Sequence, residues 1–312
     1  MDANQDRKAR QDDGAPRGAR HRATAGALGF ILVASLALSC TRPSPPRVDT
    51  EAPPQRIVSL LILADEVLWR LGEEVRTRVV GVSQLVDDPR YSNAVDLWPA
   101  ATARVTSASE VIVALRPDLV IAGSFTSQEL RSFLGQVGIP VLVIESLDDF
   151  AAYRKNVAAI AEAVGATTAG RKIVEDFDRR LQAIRTPVPT GAPTIASWAE
   201  GIVAGEGTTF HDAATAAGFV NAAAKAGHRG HQRITLEQLV LWSPEVIIVG
   251  CNPGTCDQVA VRQGSQVGFR DMPAVRAGRL AAIENRVLTS TGFEMLDLVE
   301  ALRRRREAPP KP

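Results

Sequence analysis

The sequence has few cysteines, few aromatic residues and almost no net charge. Among its 312 residues are three cysteines, aromatic residues make up 5%, and 36 Lys and Arg nearly balance 35 Asp and Glu. Three cysteines are too few for a fold held together by disulfides, and the near-neutral charge argues against nucleic acid as the main partner. A hydrophobic content of 45% with 23% charged residues excludes a disordered chain and a polytopic membrane protein. The length allows two domains of ordinary size.

Motifs of common enzyme classes are also missing. The sequence contains no GxSxG nucleophile elbow, no HExxH zinc motif and no GxGxxG dinucleotide loop. These absences favour a binding protein over an enzyme. We therefore expect no catalytic residues, no bound cofactor and no resident metal ion.

The first 40 residues have the layout of a bacterial export signal. Residues 1–22 are rich in Lys and Arg, and the apolar run that follows has about 15 residues, fewer than the roughly 20 that cross a membrane as a helix. The run ends at Cys40 in a sequence that resembles a lipobox, where the cysteine is lipid-modified and becomes the mature N-terminus. We expect a signal peptide at 1–39 and a proline-rich tether at 40–55. The exported protein should be anchored to the membrane by its lipid, on the periplasmic or cell-surface face. An unanchored secreted protein is the alternative.

Short apolar runs alternate with amphipathic helical stretches in the remaining chain. The runs are continuous and β-branched, which is typical of parallel strands covered by helices on both faces. An α/β fold follows. The predicted strands lie at 57–60, 79–82, 119–122, 141–144, 194–198 and 246–249.

Two helical segments, 148–164 and 168–184, lie between the fourth and fifth strands with no strand between them. A proline-containing stop follows the second segment, so a long helix joining two α/β halves is the simplest interpretation. The predicted fold is therefore two Rossmann-like lobes with parallel sheets joined by a single long α-helix. A crossover helix within one large sheet is the alternative. The expected boundaries are an N-terminal lobe at 56–166, a linking helix at 167–186, a C-terminal lobe at 187–306 and a tail at 307–312.

An internal repeat supports two related halves. Residues 109–123 align without a gap on residues 236–250, and each copy reads as helix, proline, acidic residue, buried strand and glycine. Gly123 and Gly250 should lie at the carboxyl ends of their strands, where open parallel sheets border a ligand crevice and a missing side chain permits close approach to the backbone. The repeat predicts two lobes with a cleft between them.

The repeat also pairs Glu110 with Glu237, each in the first turn of its predicted helix. Residues 107–110 and 235–238 both fit a capping box, in which Ser or Thr is followed three residues later by Glu or Gln. A cap would explain Glu110 locally, and attraction to the helix dipole would explain Glu237 more weakly. Neither explains why the two glutamates occupy matching positions.

The order and spacing of several segments resemble the substrate-binding proteins of bacterial ABC importers for cobalamin, iron-siderophore and haem, a family whose two lobes are joined by one long helix. The resemblance extends from Arg56 to about Arg304. Its carriers are the segments 56–60, 66–72, 80–83, 109–121, 216–223, 236–239, 243–247 and 274–280.

This resemblance implies a function in transport. In the family, a glutamate on each lobe docks into arginine pockets on the two permease subunits, and Glu110 and Glu237 stand at the matching positions. The implied partners are a metal-chelate small molecule, namely a ferric siderophore, cobalamin or haem, and an ABC permease dimer with its ATPase, bound by a monomer. The alternative is a surface sensor or storage lipoprotein that binds a chelate or metal without a permease.

Candidate cleft residues lie in the loops that follow the strands. Aromatic rings commonly hold large flat ligands while a few polar groups set their orientation, and a glycine loop at 205–212 could hold an anionic group with backbone N–H groups and hydroxyls. Core packing is the alternative for each aromatic residue, as we expect for Trp69 and Trp242, and an ordinary N-cap is the alternative for the loop. The candidates are Tyr91, Trp98, Ser124, Phe125, Trp198, Glu200, Thr208, Thr209 and Asn252.

Cys251 and Cys256 flank the short turn Asn-Pro-Gly-Thr. In an exported protein the compartment is oxidising and such a turn brings two thiols together, so we expect a small disulfide loop. A Cys/His metal site that uses His211, His228 or His231 is the alternative.

Overall fold

The structure is a computed structural model, and it describes residues 52–307, which form eleven strands and thirteen helices. The strands are β1 (Ile57–Ser59), β2 (Val79–Ser83), β3 (Ala103–Val105), β4 (Leu119–Gly123), β5 (Val141–Ile144), β6 (Thr194–Trp198), β7 (Ile202–Ala204), β8 (Val220–Asn221), β9 (His231–Arg233), β10 (Val246–Cys251) and β11 (Leu280–Glu284).

The helices differ widely in length. They are α1 (Ile62–Arg70), α2 (Glu73–Arg76), α3 (Ser109–Ala114), α4 (Gln128–Gln136), α5 (Phe150–Ala163), α6 (Thr167–Ile184), α7 (Thr209–Ala216), α8 (Ala222–Lys225), α9 (Leu236–Trp242), α10 (Cys256–Gly264), α11 (Pro273–Arg276), α12 (Asn285–Leu288) and α13 (Met295–Glu307). Among these helices of residues 52–307, none is both long enough and apolar enough to cross a membrane.

The strands form two parallel sheets, one in each lobe. The N-terminal sheet has the order β3-β2-β1-β4-β5 and the C-terminal sheet has the order β11-β10-β6-β8. An antiparallel pair, β7 with β9, accompanies the second sheet. The α/β fold with two parallel sheets is confirmed, and the alternative of one large sheet is wrong.

All six predicted strands are present, but several strands had no signal in the sequence. β3 contains Arg104, β8 has only two residues, and the residues of β11 alternate between buried and half-buried. A strand is predicted only where its sequence forms a continuous apolar run.

The two sheets repeat one topology. The order β2-β1-β4-β5 in the first sheet corresponds to β8-β6-β10-β11 in the second, strand for strand along the chain. In both copies of the predicted repeat, an acidic side chain binds the start of the neighbouring strand. Asp118 Oδ1 accepts from the Arg56 N–H at 2.8 Å, and Glu245 Oε1 accepts from the Thr194 N–H at 3.2 Å. The internal repeat therefore reflects two structurally equivalent halves.

α6 carries the chain from the first sheet to the second, and its central side chain is Phe177. That ring is fully buried among Phe150 and Tyr153 of α5 and Phe293, with ring centroids 4.7 to 5.8 Å away. One hydrophobic cluster extends through these residues into both lobes. A core shared by both lobes couples their positions, because close-packed interiors transmit strain.

Candidate functional site

The loops after the carboxyl ends of the strands face one another across the two lobes. Asn93, which follows β2, donates from Nδ2 to the Arg286 carbonyl oxygen after β11 at 3.0 Å. Phe150, which follows β5, donates its N–H to Asp212 Oδ2 of α7 at 3.0 Å. These contacts join the lobes on the side where parallel sheets bind ligands, and we call them the floor of the predicted cleft.

The carboxyl group of Asp212 links the two lobes at this floor. It accepts from the first turn of α5, beside the N-cap Asp149, whose Oδ1 accepts from the Ala152 N–H at 2.7 Å. Burial raises the pKa of Asp212, and the Phe150 N–H partly offsets that effect. This contact anchors α7 of one lobe to α5 of the other.

The four aromatic candidates separate into exposed and packed side chains. Phe125 is 70% exposed after β4 and Tyr91 is 47% exposed in the loop after β2, so both rings are accessible. Trp198 is half-buried at the end of β6, where its ring packs edge-on against Phe269 at 5.5 Å. Two rings of one lobe therefore remain free to meet a ligand, and Trp198 offers a partial surface from the other.

Trp98 is not a cleft residue, contrary to the prediction. Its side chain is 3% exposed and packs edge-on against Trp69 with ring centroids 5.2 Å apart. The Arg76 guanidinium lies 4.0 Å above the Trp69 ring and covers its outer side. The loop after β2 folds back on α1, so a tryptophan that follows a strand in sequence joins the core.

Several polar groups of the glycine loop before α7 are already bound within the protein. Thr208 is the N-cap of α7: its hydroxyl accepts from the His211 N–H at 3.1 Å and donates to the Gly205 carbonyl oxygen at 2.8 Å. Thr209 is buried as well. The N–H of Gly205 donates to the Gly230 carbonyl oxygen at 2.8 Å. The N-cap alternative therefore accounts for the Thr208 hydroxyl, and ligand binding by Thr208 and Thr209 stays a prediction.

The other polar candidates are exposed in loops at the carboxyl ends of the strands. Ser124 follows β4 and donates to the Glu145 carbonyl oxygen at 3.1 Å, which ties the loops after β4 and β5 together. Glu200 lies in the turn between β6 and β7 with a left-handed φ of 49°. Asn252 follows β10. Their positions remain compatible with ligand contact from both lobes.

Gly123 is the last residue of β4 and Gly250 the last but one of β10, so both lie at the carboxyl ends of their strands as predicted, but protein side chains fill the space that they leave. A methyl group on Gly123 would collide with the Phe125 ring, and one on Gly250 would collide with the Asn285 side chain. Neither glycine has a left-handed φ. Both glycines are therefore explained by the lack of room for a side chain and not by a left-handed backbone. At Gly123, the missing side chain lets the exposed Phe125 ring lie against the end of the strand.

Cys251 and Cys256 form a disulfide, with Cα atoms 5.1 Å apart. The bond connects the last residue of β10 to the first residue of α10 and so closes the loop that carries Asn252. Disulfide sulfurs are not thiolate ligands, so the Cys/His metal site is wrong. Residues 52–307 contain no group of three or more His, Cys, Asp or Glu side chains placed to hold a metal ion.

Glu110 and Glu237 are exposed at the second residue of α3 and α9. The predicted capping box at Thr235 is present, because Gln238 N–H donates to the Thr235 hydroxyl and the Gln238 side chain accepts from the Thr235 N–H. The capping box at 107–110 is wrong: α3 starts after Ala108 and has no side-chain cap. Neither glutamate is therefore the acidic member of a capping box.

The two glutamates lie on equivalent sides of their lobes. β3 ends at the carboxyl edge of its sheet, and α3 must return the chain to the opposite edge before β4 begins. Glu110 therefore lies near the carboxyl edge. α9 leads in the same way into β10. The pKa of Glu237 is lowered by hydrogen bonds from its own backbone N–H and from Thr235, so its carboxylate is ionised.

The sequence matches a family model described as periplasmic binding protein over residues 57–287. A cobalamin-binding protein from Halobacterium salinarum is 26% identical over 244 residues, which are 76% of this chain and 65% of that protein. The chain thus spans just under two thirds of that relative's length.

Two further comparisons extend the similarity. An uncharacterized ABC transporter substrate-binding lipoprotein, YvrC from Bacillus subtilis, is 25% identical over 265 residues, covering 80% of this chain and 79% of that protein. The structure of a possible iron-binding periplasmic solute-binding protein from Staphylococcus epidermidis superposes with a TM-score of 0.71 at 16% identity, covering 82% of this chain and all of that one. At this identity the structural likeness concerns the fold alone.

Proposed function

The chain belongs to the periplasmic binding protein family, and we propose that it is the substrate-binding protein of an ABC importer. A metal chelate is captured between the two lobes and delivered to a permease dimer, whose ATPase supplies the energy. One observation carries the proposal: Glu110 and Glu237 occupy equivalent positions on two equivalent lobes, and both are exposed. Within residues 52–307 no ion pair involves either carboxylate.

A pair of glutamates on two lobes suits a partner with two equivalent halves. Arginine forms charge-assisted hydrogen bonds with carboxylates, often through two parallel N–H groups. An exposed carboxylate at the start of a helix presents its oxygens outward and can accept such bonds without rearrangement. One glutamate on each lobe would place one contact on each permease subunit.

The surface beside Glu237 is unusually apolar. Leu241 lies one helical turn after Glu237 in α9 and is 81% exposed, and Val240 is also exposed. Val267 is exposed next to Gly268, where a methyl group would collide with the side chain of Leu236 at the start of the same helix. Exposed apolar side chains grouped around a charged residue are typical of protein interaction sites. This patch supports a protein partner for the face that carries Glu237.

We propose cobalamin, among the three chelates, as the cargo. The Halobacterium salinarum relative, which is named a cobalamin-binding protein, supports this choice. The exposed rings of Tyr91 and Phe125 can cover a broad, partly apolar macrocycle. Both cysteines of the cleft loops are joined in a disulfide, so neither thiol can ligate a metal. These loops therefore suit a metal ion that is already bound by its own chelator.

Titration calorimetry and absorption spectra with cyanocobalamin, haem and a ferric hydroxamate test the cargo. We expect cobalamin to bind with one-to-one stoichiometry and at least about tenfold more tightly than the other two, a difference of about 1.4 kcal/mol. Tighter binding of haem or of the ferric hydroxamate would replace cobalamin as the cargo. Binding of none of the three would contradict the capture of a metal chelate.

The export signal, Cys40 and residues 41–51 of the tether lie outside the described residues, whereas Pro54 and Gln55 already bind Arg78 and Asp118 of the folded part. The lipid anchor is part of this proposal. The Bacillus subtilis relative is named a lipoprotein, which supports it. Replacing Cys40 with Ala should release the protein from the membrane fraction into the soluble one. The lobe boundaries at 56–166 and 187–306, with the linking helix at 167–186 and the tail at 307–312, belong to the same proposal, as do the monomeric state and the absence of catalysis.

A further inference from the structure

Glu66 is a buried carboxyl group that reaches from one lobe to the other. It lies in α1 and is 6% exposed. Its Oε1 accepts from the Asn93 N–H at 3.3 Å, and its Oε2 lies so close to Gly292 of the second lobe that a methyl group there would collide with it. Gly292 has no left-handed φ, so this glycine provides space for the Glu66 carboxyl group.

Glu294 brings a second carboxyl group to the same place. Its Oε2 lies 3.2 Å from the position that a methyl carbon on Gly292 would occupy. That oxygen is buried and has no hydrogen-bond donor, while Oε1 forms an ion pair with Arg70 of α1. A buried acceptor without a donor is costly. Oε2 of Glu66 and Oε2 of Glu294 therefore converge on one glycine across the lobe interface.

The groups around this pair can carry more negative charge than positive charge. Arg70 supplies one positive charge, whereas Glu66, Glu294 and the neighbouring buried Asp65 can each supply a negative one. Tyr153 of α5 adds a buried hydroxyl without a partner. Burial and repulsion by Glu294 raise the pKa of Glu66 to about 8, while the Asn93 N–H and Arg70 act in the opposite direction. This shift favours the protonated form of Glu66 at neutral pH.

We propose that protonated Glu66 donates its hydrogen to Oε2 of Glu294 and that this shared proton is a latch between the two lobes. The hydrogen bond satisfies the buried acceptor and requires only one negative charge beside Arg70. When the proton passes to water at alkaline pH, two carboxylates face each other beside one guanidinium. Their repulsion separates α1 from the loop that precedes α13 and opens the cleft floor next to the Asn93–Arg286 contact. The latch is independent of the identity of the cargo.

The experiment combines a proton count with a measurement of lobe opening. The wild-type protein and the Glu66→Gln variant are labelled with ¹³C at the glutamate carboxyl carbon and titrated by NMR from pH 5 to 10, and small-angle X-ray scattering is recorded on the same samples. Glutamine retains a donor toward Glu294 and cannot ionise. We expect one wild-type carboxyl group to titrate near pH 8, an increase in the radius of gyration with the same midpoint, and neither change in Glu66→Gln.

Two further variants keep the result interpretable. Glu162→Gln removes an exposed carboxylate of α5 and should behave like the wild type. Glu294→Gln removes the charge that repels ionised Glu66. The alkaline titration should therefore move toward neutral pH, and the expansion should disappear. This variant also tests the latch if Glu66→Gln does not fold. A wild-type protein without a carboxyl group that titrates near pH 8, or an expansion equal in the wild type and in a folded Glu66→Gln or Glu294→Gln variant, would overturn the latch.

Discussion

Arg116 and Ser243 occupy the same position in the two halves of the chain, and both adopt a left-handed backbone conformation, with φ of 47° and 44°. Each follows the helix of its repeat and precedes the proline that leads into the buried strand. Left-handed conformations are uncommon for residues other than glycine. Two matching exceptions at aligned positions show that the halves share backbone detail as well as strand order.

Replacing Ser243 with Gly should stabilise the protein. Glycine adopts the left-handed conformation without the steric cost that a side chain carries there, so we expect the free energy of unfolding to rise by about 1 kcal/mol. Urea denaturation measures the change. Ala114→Gly, within the right-handed helix α3, is the control and should lower the free energy of unfolding by about 1 kcal/mol. Equal effects of both variants would contradict a conformational cause.

The double variant Glu110→Ala and Glu237→Ala should abolish uptake and leave ligand affinity unchanged. Both side chains are exposed, so their removal cannot disturb the cleft, whereas a buried charge pair with a permease arginine would be lost. Uptake by cells and calorimetry with the purified protein measure the two effects. Glu129→Ala changes an exposed glutamate in the first turn of α4 and should leave uptake intact. A parallel loss of ligand binding would refute the docking role.

Leu241→Ser should reduce uptake without changing ligand affinity or folding. The side chain is 81% exposed, so serine costs little in the isolated protein, while burial of a leucine against a partner contributes about 1.5 to 3 kcal/mol. Val137→Ser, an exposed apolar side chain after α4, is the control. If both variants transport like the wild type, the apolar patch beside Glu237 has no part in docking.

Phe125→Ala and Trp98→Ala should have opposite consequences. Phe125 is exposed at the cleft, so its loss should weaken cobalamin binding by about tenfold and leave stability nearly unchanged. Trp98 is a core residue, so its loss should lower the free energy of unfolding by about 3 to 5 kcal/mol. Calorimetry and urea denaturation of both variants distinguish the two roles. A strong loss of stability in Phe125→Ala would place that ring in the core instead.

The stability of the wild-type protein should fall between about pH 5 and pH 8 relative to Glu66→Gln. Folded Glu66 keeps its proton up to about pH 8, whereas the unfolded chain releases it near its ordinary pKa of 4.5. In this interval the folded state binds more protons, so raising the pH favours unfolding, by a few kcal/mol in total. Urea denaturation at several pH values measures the difference, which should be constant above and below the interval. A difference that grows toward acidic pH would contradict the raised pKa.

Local patterns were sufficient for the framework of the fold. β4 and its counterpart β10 are buried over nearly their whole length, so their sequences are continuously apolar and could be recognised. Edge strand β11 is only partly covered and left no such pattern. The repeat, the two glutamates and the Cys251–Cys256 loop were visible because each depends on residues close together in the sequence.

The individual roles of cleft residues could not be predicted in the same way. Trp98 and Phe125 both follow strands, yet one ring is buried and the other exposed, because the loop after β2 folds onto α1. Thr208 follows a glycine loop suited to an anion, but its hydroxyl caps α7. Each outcome depends on which distant segment covers the side chain, and a local pattern contains no information about that segment.

The sequence by itself determined the class of fold, the division into two related halves and the position of the two matched glutamates, because periodicity and internal repetition are properties of the chain. The tertiary structure alone decided which candidate side chains are exposed and which are buried, and that Glu66 and Glu294 meet at Gly292. Residues more than 200 positions apart become neighbours only when two lobes close on a common core, and burial then changes the chemistry of the groups that meet there.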